Sequence, residues 1–180
     1  MGASVGQGAQ GESMIVPAWL TWARAEVGTA EIVGPKHEQR VLEYWDIGKV
    51  PLDVNDDETP WCAAFACAAI ESAGYRSPRT ARARGFEPGP HTVVCDNTLG
   101  AIVVLSSDRG AASGHVGFLE SVSKDRVLLL GGNQGNRVCV ASFPLSRVVA
   151  VVWPAAAPAA STYPLAPSTT KASPTIVSDR

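Results

Sequence analysis

The chain predicts an α+β domain in which three helices precede about five antiparallel strands. Three observations carry that expectation. Apolar residues at helical spacing are confined to the first part of the chain, and period-two alternation appears only after it. The gap at Ser123-Lys124-Asp125 is too short for anything but a hairpin, so two of the strands pair antiparallel. Helices followed by strands, rather than alternating with them, define the class.

The elements follow in order. Residues 17–27 carry Trp19, Trp22, Ala23 and Val27 on one stripe, with Gly28 as a stop. Residues 35–47 place Val41, Leu42 and Trp45 together before Gly48. The third helix begins at Thr59-Pro60-Trp61-Cys62 and runs through Ala63-Ala64-Phe65-Ala66-Cys67-Ala68-Ala69-Ile70, with Thr59 as N-cap and Pro60 as first helical residue. Strands are expected at 101–105, from His115 to Glu120, and at 126–133, 137–142 and 148–153.

This reading sets Cys62 at the third helical position, beside amides that have no partner within the helix. The positive end of the helix dipole favours thiolate over thiol, and the thiolate is the nucleophile. A small buried hydrophobe is the competing reading of any free cysteine, and a base decides between the two. His115, in Gly114-His115-Val116-Gly117-Phe118-Leu119-Glu120, is the candidate base, set against the reading of a satisfied core or strand-end histidine. With the hairpin centred on Lys124, His115 faces Asn133, Gly117 faces Gly131 and Leu119 faces Leu129. Asn133 is then placed to orient the imidazole, and a slip of one residue substitutes Gln134. Glu120 is a poor orienter, because five residues along a strand span roughly 16 Å and an odd offset points to the other face. The glycines at 117 and 131 are expected to let the Cys62 helix approach the sheet.

The stretches Pro17-Ala18-Trp19-Leu20, Gly34-Pro35-Lys36-His37, Asp57-Glu58-Thr59-Pro60-Trp61-Cys62-Ala63-Ala64-Phe65, Gly114-His115-Val116-Gly117-Phe118 and Leu130-Gly131-Gly132-Asn133-Gln134 resemble those of the CHAP-related cysteine peptidases of phage endolysins and bacterial wall hydrolases. The likeness covers about residues 14 to 154. It implies a papain-like fold, cleavage of an amide bond in peptidoglycan, and a catalytic set of Cys62, His115 and Asn133. Trp61, Gln134 and Glu58 are the candidates for contact with the oxyanion or the substrate. Many CHAP domains carry an acidic residue two positions before the asparagine; Gly131 stands there in this chain. Residues 76–100 look less regular than in relatives and are expected to line the substrate cleft.

Such residues support acyl transfer through a thioacyl enzyme. A peptidoglycan endopeptidase and an N-acetylmuramoyl-L-alanine amidase need the same three groups. A secretion-system effector amidase, a cysteine acyltransferase or deamidase acting on a protein, and an inactive wall-binding module are the alternatives to an endolysin.

Composition agrees with one catalytic domain. The 180 residues with 46% hydrophobic content suffice for a core, and a net charge of −2 gives no reason to expect nucleic acid. Four cysteines and three histidines lack zinc spacing, and no cofactor is expected. A Cys95–Cys139 disulfide is possible but not required. Asp53-Val54-Asn55-Asp56-Asp57-Glu58 has the alternate oxygens of a calcium loop but lacks its glycine, so a solvated acidic loop is the better reading. Arg76, Arg79, Arg82 and Arg84 form a basic cluster that either grips stem-peptide carboxylates or is simply solvated. The domain is expected to occupy 14–154, between a flexible 1–13 and a disordered Ala/Pro/Ser/Thr-rich tail at 155–180. Neither a signal peptide nor a membrane span is evident, which suggests a protein made in the host cytoplasm and released to the wall by a holin or a secretion system, and a monomer is expected.

Overall fold

A computed structural model describes residues 15–107, 110 and 113–165. The expected flexible segment 1–13 and the tail beyond 165 lie outside the described residues. Three α-helices precede a six-stranded antiparallel sheet, so the α+β class holds with one strand more than expected. The helices are α1 (Ala18–Ala25), α2 (Gln39–Ile47) and α3 (Cys62–Ser72). The strands are β1 (Thr92–Val94), β2 (Ile102–Ser106), β3 (Gly114–Val122), β4 (Arg126–Gly131), β5 (Cys139–Pro144) and β6 (Val148–Pro154), in the order β1-β6-β2-β3-β4-β5. β1 is the strand that the pattern did not reveal: three residues on an edge, beyond Gly89-Pro90, are too few to show alternation.

α3 is the axis of the core. Every residue from Cys62 to Ile70 is buried, with α1 and α2 on one side and β3 on the other. Its alanines let neighbours come close, and apolar burial at about 25 cal/mol per Å² is what holds the layers together. α1 buries Trp19, Leu20 and Ala23; the Trp19 indole N–H donates to the Gly100 carbonyl at 2.8 Å, and its ring meets Trp153 edge-on at 4.7 Å. α2 starts at Gln39, four residues later than its pattern suggests. Its N-cap is Glu38, whose side chain accepts from the Arg40 N–H, while the Glu38 N–H is itself committed to Asp57.

The sheet must coil. β5 and β6 stand four places apart in the order and run in the same direction. Flat, they would lie about 19 Å apart, yet only Leu145–Arg147 connects them, a reach of at most about 14 Å. The strands therefore curve, and β2, in the middle of the sheet with the 83–86 turn packed against it, is buried from Ile102 through Leu105. The short connector is pinned at both ends: the Leu145 N–H donates to the Asp125 carbonyl, and the Arg147 guanidinium to the Ser106 carbonyl.

Residues 155–165 depart from the expected disordered tail. The Trp153 indole donates to the Pro158 carbonyl at 2.8 Å, and the Leu99 N–H to the Tyr163 carbonyl at 3.2 Å. The Tyr163 ring lies 5.3 Å from that of Trp153. Composition alone missed this because one aromatic in an Ala/Pro-rich stretch is enough to anchor it. Cys95 and Cys139 form no disulfide. No helix among the described residues is long and apolar enough to cross a membrane.

Candidate active site

The approach to α3 is organised by two adjacent carboxylates. Asp56 Oδ1 accepts from the Glu58 and Thr59 N–H groups at 3.1 and 2.6 Å, and Oδ2 from the Thr59 hydroxyl at 3.1 Å. Thr59 is thereby held in a turn instead of capping the helix. Trp61 is the N-cap and Cys62 the first helical residue rather than the third, with the Trp61 carbonyl accepting the first helical bond from Phe65. Asp57 is fully buried; Oδ2 accepts from the N–H groups of Ile32 and Glu38 at 2.8 and 2.9 Å, and Oδ1 meets His37 Nδ1 at 3.0 Å. Burial pushes its pKa up, but the Glu38 and Ile32 amides and the His37 ring outweigh burial and hold it at about 2. These two residues account for the acidic loop, and among the described residues no group of three or more His, Cys, Asp or Glu side chains is placed to hold a metal.

Cys62, 8% exposed, and His115, at the start of β3, open on one cavity of about 210 Å³. Ser107 and Ser113 line it from the β2–β3 connection, Gly114 from the start of β3, Asn133, Gly135 and Asn136 from the β4–β5 connection, and Arg147 from the connector to β6. The other three thiols are unsuited to attack: burial raises the pKa of Cys67 and Cys139, and burial with the nearby Asp96 charge raises that of Cys95 to about 11.

The carboxamide on the imidazole is not that of Asn133. Gln134, 4% exposed, sets its Oε1 2.9 Å from His115 Nε2. The register explains the exchange. Phe118 faces Leu130 and Leu119 faces Leu129, as the hairpin predicts, with a shift only beyond Leu119. On the far side Gly131 faces Cys139, but the tight turn of the β4–β5 hairpin sets Gln134 against Arg137, so Gly132 and Asn133 together oppose Val138. Asn133 takes up that extra residue with φ 56°, in the left-handed region that asparagine tolerates. The bulge inverts the alternation and swings Gln134 over Gly131. A Cβ on Gly131 would stand 2.9 Å from the Gln134 Oε1, and one on Gly132 would run into the Trp61 ring and, at 2.7 Å, Phe65. It is thus Gly132, not Gly117, that admits the start of α3; Gly117 abuts Leu129 and Leu130 of the next strand.

Gln134 also fixes the proton on the ring. Its Nε2 donates to the carbonyls of Leu129 (3.2 Å) and Cys139 (2.5 Å), which can only accept, so the amide has one orientation. Oε1 then accepts, His115 Nε2 carries the hydrogen, and Nδ1 is left as the basic nitrogen. Phe143 packs beside the imidazole with centroids 5.3 Å apart.

The remaining expected contacts are placed elsewhere. Trp61 is fully buried, donating its indole N–H to Glu31 Oε1 at 2.8 Å and lying 5.7 Å from the Tyr44 ring, so it forms no wall of the cleft. Glu58 is exposed and does not line the cavity. Glu120 pairs with Arg24 of α1 through both carboxylate oxygens, away from His115. Within the basic cluster Arg79 is bound to Glu71 and Arg84 to Glu87, while the Arg84 stem lies against Gly114. Sequence reasoning missed Arg147, Ser107, Ser113 and Asn136. Gly135-Asn136, with φ 60° and 61°, is a two-residue hairpin signal that would have located the bulge.

The family model described as CHAP domain matches residues 54–133, from the acidic loop through α3 to the end of β4. No curated protein and no solved structure matches the chain.

Proposed function

Since the chain carries a CHAP domain, a family of cysteine-dependent amidases and peptidases directed at peptidoglycan, we propose that it cleaves an amide bond of the bacterial wall through Cys62 and His115, with Gln134 positioning the ring. The observation that carries this reading is the Gln134 amide, whose two carbonyl partners leave His115 Nδ1 as a base in the cavity that Cys62 shares.

His115 Nδ1 takes the thiol proton of Cys62. The thiolate attacks the carbonyl carbon, and the developing oxyanion is met by N–H groups at the start of α3, that of Cys62 among them. The imidazolium, whose Nε2–H bond to Gln134 strengthens with charge, passes its proton to the leaving nitrogen. Water, deprotonated by the same ring, then releases the acyl group from sulfur. Asn133 lies on the cavity wall, where it contacts substrate rather than the ring.

The biological setting that suits this chemistry is lysis of a cell wall, as by a phage endolysin. Purified sacculi are digested with the wild type and with Cys62→Ala, and the new termini are identified by mass spectrometry. New amino termini within the stem or cross-bridge mark an endopeptidase, and a freed lactyl carboxyl marks an amidase. Intact sacculi under the wild type overturn the reading.

A further inference from the structure

The bulge that brings Gln134 to His115 is held from outside the sheet. Residues 28–31 run along the outer arm of the β4–β5 hairpin: the Gly28 N–H donates to the Val138 carbonyl at 3.0 Å, the Val138 N–H to the Thr29 carbonyl at 2.8 Å, and the Glu31 N–H to the Asn136 carbonyl at 2.9 Å, with Ala30 opposite Arg137. Val138, the residue opposite the bulge, thus gives both of its backbone groups to this segment.

The Glu31 side chain turns to the other flank. Its Oε1 accepts the Trp61 indole N–H at 2.8 Å, and the Trp61 ring lies so close over Gly132 that a Cβ there would strike Cζ3 and stand 2.7 Å from Cε3. Gly132 is two residues before Gln134 and Asn136 two residues after it, so one residue grips both sides of the amide that meets His115. Trp61 is also the N-cap of α3, directly before Cys62. An indole has a single donor, and a fully buried one left without an acceptor is costly. Without Glu31 the ring regains a partner only by turning, and turning lifts it from Gly132.

We propose that Glu31 is a positioning residue: it holds the Trp61 ring against Gly132 and, through its own N–H, the turn at Asn136, and so keeps Gln134 on the imidazole. Glu31 does not line the cavity, so it acts only through these neighbours. The inference rests on Gln134 as the amide that orients His115, and its test separates the two.

Hydrogen exchange followed by NMR on the full chain needs no substrate. In the wild type the Trp61 indole proton and both Gln134 side-chain amide protons are expected to be protected relative to free side chains. If the ring holds the bulge, every opening that frees Trp61 also frees Gln134, so Gln134 is protected no more strongly than Trp61. In Glu31→Leu the Gln134 protons lose about tenfold or more of their protection while the backbone amides of β2 exchange as before. A merely structural role would lower both together. Glu31→Gln keeps an acceptor oxygen and retains the wild-type pattern. On a soluble stem peptide, kcat falls about 10- to 100-fold in Glu31→Leu with KM within about twofold, and recovers in Glu31→Gln.

Gln134 protons that stay protected in Glu31→Leu overturn the inference, and so does a loss shared equally with β2. Wild-type Gln134 protection exceeding that of Trp61 by about tenfold overturns it on the native chain, even if a variant fails to fold. Unprotected Gln134 protons in the wild type overturn the orienting amide and this inference with it. The expected exchange pattern in a protein that leaves sacculi intact overturns the hydrolase reading and leaves the role of Glu31 standing.

Discussion

Gln134→Met removes the amide from behind His115 while keeping an unbranched side chain of the same length. In the wild type, Oε1 sits 2.9 Å from the ring nitrogen and Nε2 serves two backbone carbonyls. Two separate losses follow. A hydrogen bond to a charged partner is worth about 1.5–3 kcal/mol, and the imidazolium formed as Cys62 loses its proton is such a partner. At 1.36 kcal/mol per decade, the acylation rate falls roughly 10- to 150-fold. The carbonyls of Leu129 and Cys139 lose a donor in a buried setting, which costs about 1–3 kcal/mol of stability. The two effects are read independently: kcat and KM on a soluble stem peptide, and unfolding in urea at the same pH. The expected pattern is a fall in kcat with KM nearly unchanged, in a variant that remains folded. Asn133→Ala is the control, because its side chain lines the cleft without the bond to His115 and should lose less in kcat than in KM. Folded Gln134→Met with more than half of the wild-type kcat would refute the reasoning. So would an Asn133→Ala variant that loses kcat as deeply as Gln134→Met.

Two further outcomes concern the frame. Asp57 has its folded pKa depressed to about 2, so its stabilisation is fully present above the ordinary carboxylate pKa of about 3.9 and is lost as pH falls toward 2; thermal melts should show a steep decline in that window that is flattened in Asp57→Asn, which is less stable at pH 7. Ending the chain at Pro154 removes the Tyr163 ring from Trp153 and Trp19 and the Pro158 carbonyl from the Trp153 indole, and calorimetry should find a transition lowered by several degrees, equivalent to about 1–3 kcal/mol; an unchanged transition would mean that 155–165 adds nothing.

What the chain made legible was local in origin. Cys62 at a helix mouth, His115 at the head of a strand and the hairpin register between β3 and β4 all follow from spacing within a few residues, and the hairpin places Leu119 opposite Leu129 as expected. The carboxamide beside His115 is that of Gln134, the one-residue slip that the hairpin register left open, because a bulge depends on where the next turn closes, and Asn133 yields its place when Gly135-Asn136 bends the chain. Trp61 looked like a cleft wall because it adjoins the nucleophile. A helix start turns successive residues through about 100°, and the N-cap points into the core while its neighbour faces the cavity. Arg147 could not be found from pattern at all, since it reaches the site only because the sheet coils.

The left-handed conformation of Asn133 also determines how this stretch can tolerate change. A one-residue deletion between Gly131 and the turn would remove the bulge and, with strict alternation restored, keep the glutamine on the face of Gly131. What the imidazole depends on is therefore the bulge at the present length and not the length itself: moving the turn one residue along, with no residue added or lost, is the change that would point the glutamine at α3 and cost turnover.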